Sequence, residues 1–434
     1  MTFPLTLIFM MLIFLCPQEW LLPWMYGWPV LDVVVAGALI SLAFESTQVK
    51  FVFPRTPMFI LIGGFFFAAV MSHVAHGYFQ GMMDTISLMS KLCLFCCLLI
   101  VVTNSVQRLR GVIFVFLLGA VIMAIHAIMQ ERTGAGFAGK MPYSFYYPLK
   151  DRWVTQSLFF GFFNDPNDLG QVLAMCLPLV FAQQKRMNPV SVLLSIGVAC
   201  LLAQGMTATQ SRGTLVAVVA SAACMIFLWL PSKWLPFLGG LALIGGLVAC
   251  TYFGPEMLDQ SARNRVTYWG IANRYFMSHP LFGGGCGMFD AVLNIGQTAH
   301  NSFVLCYTEL GFLGYWFWFN MLTLGVIGCW RTRVALRNPK NEEQTYLKRV
   351  AGIAIAAMTG YIASSYFLSR TYSYPLFFFY AFLASIPVIA QRYLPEGHPP
   401  LVNFRKDVIF VGTLTSLTSL FYIYVTIVLL NKSQ

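Results

Sequence analysis

Residues 302–330 read SFVLCYTELGFLGYWFWFNMLTLGVIGCW, a stretch holding one acid, Glu309, and no base. About 20 predominantly apolar residues carry a helix across the hydrocarbon core of a bilayer. This run is longer than that, so it reads as a membrane crossing.

Outward from it in both directions the same texture repeats. Apolar runs bounded by charged or turn clusters fall at 3–16, 28–44, 57–76, 82–103, 111–129, 166–183, 189–205, 213–230, 235–253, 302–330, 350–368, 375–391 and 408–430. The expected fold is all-α: a polytopic membrane protein with twelve or thirteen transmembrane helices, one integral membrane domain over 1–434. Composition agrees. Of 434 residues only 10% are charged, against roughly a quarter in soluble domains, which is too few to cover a water-facing surface. At 58% hydrophobic the chain is also too apolar for intrinsic disorder. The first run has no base ahead of it and no small-residue cleavage site behind it, so it is expected to be a retained helix. Most of the eleven cysteines lie inside apolar runs, where cysteine acts as a small hydrophobe. The Cys93/Cys96 pair sits mid-helix with no second pair, which argues against a metal or redox centre.

Alternating the loops places sixteen Lys and Arg on one side and ten on the other, with Lys91 inside a crossing. The positive-inside rule then puts the N-terminus in the cytoplasm and the C-terminus outside. The inner loops hold five acids, so their excess sets orientation. Basic residues on the outer side carry a different message, because several stand in apolar surroundings where a charge needs a partner or a cavity.

Two outer segments exceed ordinary connections, 130–165 and 254–301, and long loops in compact proteins are usually functional. In the second, 263–278 is expected to be a helix with Tyr268, Trp269, Ile271, Ala272 and Tyr275 on its apolar side. On that helix Arg263 and Arg274 share a face, and Arg265 points about 200° away with Trp269 at i+4 beside it. Arg212, in Gln210-Ser211-Arg212-Gly213, stands at a turn between two crossings. Guanidinium forks match phosphate oxygens, so such arginines read as a phosphate or pyrophosphate clamp. The bland alternative is an arginine reaching to headgroups or solvent. His300 directly precedes the longest run, with Asn301 or Ser302 as the helix cap. It is either a general base or a polar residue that happens to precede a helix. Arg370, in Ser369-Arg370-Thr371, is a weaker candidate for the same anionic site.

Asn164-Asp165-Pro166-Asn167-Asp168 is foremost a helix start, with Asp165 as cap, Pro166 at the first position and Asp168 at the third. Two carboxylates are few for a hard cation. His73 and His76 lack a third ligand. The glycines of Gly283–Gly287 are no phosphate loop, since no Lys-Ser/Thr follows them; they read as a tight turn with close backbone approach.

In order, these pieces resemble the O-antigen ligase and O-antigen polymerase superfamily of bacterial membrane proteins. The matching segments are FFNDPNDLG at 162–170, Ser211-Arg212-Gly213, Arg265 with Trp269, HPLFGGGCG at 279–287, AHNSF at 299–303 and Glu309-Leu310-Gly311. The resemblance is strongest over 160–325. It implies an enzyme of the inner membrane that takes a glycan from undecaprenyl pyrophosphate at the periplasmic face. The acceptor is lipid A-core in the ligases and another lipid-linked glycan in the polymerases. It implies Arg212, Arg265 and His300 as catalytic positions, with chemistry that needs no metal or other cofactor and inverts the anomeric carbon. Arg263, Arg370, Tyr268, Trp269 and Asn301 are expected to contact substrate. The expected partners are the lipid-linked donor, the acceptor and the bilayer, with no nucleic acid. Only 34 residues separate Arg265 from His300, a departure from many relatives that leaves ligase against polymerase open. A flippase or transporter is the alternative of a different class; those hold ionisable groups at the bilayer midplane, whereas these gather at helix ends.

Overall fold

The computed structural model describes residues 1–48, 53–147, 151–183, 188–228, 230 and 260–432. The expected crossing at 235–253 and the first part of the outer loop 254–301 lie outside the described residues. The described helices are α1 Thr2–Leu15, α2 Val30–Gln48, α3 Met58–Val74, α4 Phe79–Val102, α5 Val106–Thr133, α6 Pro166–Leu179, α7 Pro189–Ala208 and α8 Arg212–Phe227. After the gap follow α9 Gln260–Ser278, the short α10 Phe289–Leu293, α11 Ser302–Ala335, α12 Glu342–Ser364, α13 Tyr374–Gln391 and α14 Thr413–Lys432.

The protein is an all-α, multi-pass membrane protein. Among the described residues eight helices are long and apolar enough to cross a bilayer, and α1, α3 and α8 are shorter apolar helices. The thirteen runs of the sequence therefore do not all meet the length of a full crossing. Three other expectations change. The loop 130–165 carries an antiparallel hairpin, β1 Tyr143–Tyr147 against β2 Arg152–Gln156, with Phe145 opposite Val154. The 302–330 run extends to Ala335 and is broken at Gly311 (φ 64°, ψ −166°). The last crossing starts earlier than 408, in a π-helical segment Phe404–Gly412 whose buried Asp407 accepts from Arg331 at 2.5 and 2.7 Å.

Local chemistry sets the helix starts. Ser105, Asp165, Asn188, Ser211, Asn301 and Asn341 each accept a backbone N–H of the first turn, satisfying a donor that the helix itself leaves open. Between helices the core is aromatic, as where Phe14 lies against Phe116, Phe163 and Phe378.

Where helices come closest, small residues allow it. Gly360 of α12 faces α8, and a Cβ there would lie 2.1 Å from Ser221 Oγ and 2.6 Å from the Ala217 carbonyl oxygen. The Ser221 hydroxyl also donates to the Ala356 carbonyl across this seam. Gly360→Ala is expected to destabilise the protein by about 1–3 kcal/mol, because a backbone carbonyl cannot step aside. Thermal unfolding in detergent checks this, and an unchanged melting temperature would show that the seam yields.

Candidate active site

Helix ends meet at one end of the bundle: the C-termini of α3, α5, α7 and α12 and the N-termini of α4, α6, α8, α11 and α13. Asp165 caps α6 through the Asn167 amide at 2.7 Å, with Pro166 in the first turn. Asn167 then accepts from the Ser211 hydroxyl at 2.7 Å, and Ser211 itself caps α8. This joins the starts of two helices that lie 44 residues apart in the chain. Arg212, the first residue of α8, is exposed, and the next residue, Gly213, packs against Phe367. Asp168 does not cap. Its buried carboxylate receives both Nε–H and Nη2–H of Arg370, whose guanidinium also lies 5.4 Å over the Phe162 ring. Arg370's charge is therefore met within the protein, which alters its expected standing as an anion ligand.

The His300 turn is fastened on three sides. Asn301 accepts from the Phe303 and Val304 amides at 3.0 and 3.1 Å, so it, and not Ser302, is the cap. Ser302 instead donates to the Leu368 carbonyl, accepts from the Arg370 amide and lends its own carbonyl to the Thr371 hydroxyl. On the other flank the Trp269 indole N–H donates to the Ala299 carbonyl at 2.6 Å, docking α9 against the turn. His300 is held at φ 47° and Gln210, just before Ser211, at φ 52°. Both are left-handed conformations that non-glycine residues rarely adopt, and such strain gathers at functional sites.

His300 is half-buried, and burial is the main reason its pKa lies below the ordinary imidazole value. Arg265 pushes it the same way, Asp165 opposes, and Arg370 adds to the lowering. The imidazole is therefore neutral at pH 7, with Arg265, Arg370 and Asp165 all within electrostatic reach.

The helix α9 buries Val266, Gly270, Ala272, Asn273 and Phe276, not the Tyr268, Ile271 and Tyr275 side expected from sequence. One edge packs on α14, where Asn431 donates to the Val266 carbonyl and Asn273 to that of Tyr424. The opposite edge carries Arg265, with Trp269 one turn on, toward His300; Tyr268, at i+3, flanks Arg265 on the more exposed side. Helical geometry places Arg263 on the α14 edge, so the structure does not bring it to His300 as it does Arg265.

The glycine loop has a structural task. The Gly284 and Gly285 amides donate to the Thr308 and Glu309 carbonyls, both 2.9 Å away, which the break at Gly311 leaves open. A Cβ on Gly283 would sit 2.5 Å from the Glu309 carbonyl carbon. The buried Glu309 carboxylate accepts from the Gly287 and Phe289 amides at 3.0 Å and from the Tyr372 hydroxyl at 2.7 Å. From the other side His73 Nε2–H donates to the Cys286 carbonyl and His76 Nε2–H to that of Gly283. The two histidines thus clamp the loop to the α3–α4 corner. Lys91 pairs with Asp32 at 2.7 Å.

Sequence reasoning missed the Asp168–Arg370 pair, the Glu309 clasp and the histidine clamp. The HPLFGGGCG and Glu309-Leu310-Gly311 pieces were visible, but nothing local said that they touch. No curated protein matches the chain. Residues 197–319 match the model of a family described as O-antigen ligase. That segment runs from α7 into α11 and holds Arg212, Arg265, His300 and the glycine loop, while the NDPND start of α6 and Arg370 join it in space from outside the match. The chain is a multi-pass membrane protein whose residues 197–319 are similar to the O-antigen ligase family.

Proposed function

We propose that the protein transfers a glycan from undecaprenyl pyrophosphate to an acceptor hydroxyl at the periplasmic face of the bacterial inner membrane. The observation that carries this reading is one junction of helix ends that holds a neutral His300 beside Arg265, with Arg212 at the neighbouring turn. Arg212 and Arg265 bind the pyrophosphate and stabilise the charge it gains as the sugar bond breaks. The acceptor oxygen attacks the anomeric carbon from the opposite face. The bond from that carbon to the phosphate oxygen breaks with its electron pair going to the pyrophosphate, and the hydroxyl proton passes to His300. Trp269 and Tyr268 offer ring faces to the sugar, and Asn301 holds the turn that aims His300. Asp165 is occupied as a cap and Asp168 by Arg370, so this proposal assigns no step to a metal.

Purified protein given a lipid-linked glycan and lipid A-core is expected to form product in the presence of EDTA. The rate should fall as pH drops below the ordinary imidazole value of about 6.5, because His300 must be neutral to accept a proton and its pKa is lowered. Loss of activity in EDTA, or a rate that rises into acid, would count against the mechanism. A longer lipid-linked chain in place of modified lipid A-core would assign the acceptor of a polymerase.

A further inference from the structure

At the end of the bundle opposite the site, two cavities adjoin. The first, about 310 Å³, is lined by Arg110 of α5, by Lys340 before α12, and by Glu342, Tyr346 and Arg349 of α12. Three cations against one carboxylate give this lining a net charge of +2. The Tyr346 ring lies between two guanidiniums, with Arg110 4.4 Å and Arg349 5.8 Å from its centroid. Tyr346 is 3% exposed, yet among the described residues its hydroxyl finds no acceptor, the neighbouring Arg110 guanidinium being able only to donate, and Arg110 Nε finds none either. Buried donors left unmade are costly, and most in native proteins have a partner. What these two lack is an acceptor, and the surrounding charge calls for an anionic one. A phosphate supplies both.

The second cavity, about 440 Å³, shares Pro339, Thr345 and Arg349 with the first and continues along α12 to Ile353, with Arg333 and Lys348 also in its lining and Phe181, Met225 and Leu228 as its apolar wall. The eight helical steps from Thr345 to Ile353 give it a run of about 12 Å. A basic compartment at the helix ends that opens into one with an apolar wall running along the helix fits a headgroup and a chain. A free phosphate would leave that apolar wall uncovered.

We infer that this end of the bundle holds one anionic phospholipid, its phosphate between Arg110, Tyr346 and Lys340 and part of an acyl chain against the apolar wall of the second cavity. The site is remote from His300 and does not depend on the proposed transfer reaction. Basic pockets between transmembrane helices at the positive face are a recurrent form of lipid recognition. Here the buried Tyr346 hydroxyl, with no acceptor among the described residues, distinguishes a built site from a general excess of charge.

Native mass spectrometry of the detergent-purified protein, titrated with phosphatidylglycerol, phosphatidylcholine or inorganic phosphate, tests this. The unaltered protein should bind one phosphatidylglycerol about tenfold more tightly than phosphatidylcholine, and Arg110→Gln and Tyr346→Phe should each remove most of that preference. Arg337→Gln, at an exposed arginine of the same end, should leave it intact. Equal affinity for the two lipids overturns the inference, as does an equal effect of Arg110→Gln and Arg337→Gln. Inorganic phosphate binding as tightly as the lipid would reduce the site to an anion pocket and overturn it too. If Arg110→Gln does not fold, Tyr346→Phe carries the test, because it deletes a single oxygen.

Discussion

His300→Gly is expected to yield a protein no less stable than the parent that has lost glycan transfer. The two halves of this result have separate origins. At φ 47° an imidazole-bearing residue occupies backbone space that costs an L-residue about 1–2 kcal/mol. Glycine takes that conformation freely, though it is also freer in the unfolded chain, so the net gain is on the order of 1 kcal/mol or less. Chemistry moves the other way. Without a base to take the acceptor's proton, the rate should drop by roughly 10²–10⁴-fold. Initial rates of product formation measured beside thermal unfolding show both effects in one preparation. A variant that keeps its melting temperature and its full rate would remove His300 from the mechanism. Arg265→Ala should also slow transfer severely while leaving the His300 turn capped, because the cap is made by Asn301.

The second large effect is on stability. Arg370→Met leaves the Asp168 carboxylate, whose side chain is 3% exposed, without its counter-charge. Breaking a buried pair from one side costs about 3–5 kcal/mol. The arginine side chain is 33% exposed, so solvent screening brings the expectation to the order of 2–3 kcal/mol. Asp168→Asn alone should cost less, since the charge it leaves behind, on Arg370, is one-third exposed whereas that of Asp168 is fully buried. Combined with Arg370→Met it should recover much of the loss, giving a coupling energy above about 1 kcal/mol in a double-mutant cycle. Single effects that simply add would mean that the two side chains do not depend on one another.

These two residues also mark where sequence reading ends. Asp165 and Pro166 announce their helix start because a cap acts within three residues, and Asn301 does so for the same reason. The apolar runs are legible because a bilayer demands length and hydropathy of each segment separately. The hairpin at 143–156 had a local signal too, the aromatic and β-branched runs YSFYY and RWVTQ, but two short strands inside a loop weigh little beside a dozen helices. Arg212, Arg265 and His300 stood out because charge near a membrane is rare. The partner of Arg370 did not, since Asp168 looks complete as a first-turn residue of its own helix. Nor could His73 and His76 disclose a glycine loop some 200 residues on, whose recognition uses only backbone carbonyls.

Because Asp168 and Arg370 are 202 residues apart, the pair also sets an order of events during synthesis. At about 5–20 residues per second, Asp168 leaves the ribosome roughly 10–40 seconds before its counter-ion. For that interval the start of α6 cannot settle into its final place without burying a lone carboxylate. Docking of α6 must therefore wait for the loop ahead of α13, and the His300 turn, fastened to the same loop through Ser302, waits with it. The proposed transfer site is thus completed only by a segment made some 200 residues after its first part, so a chain ended before Arg370 would lack the assembled centre.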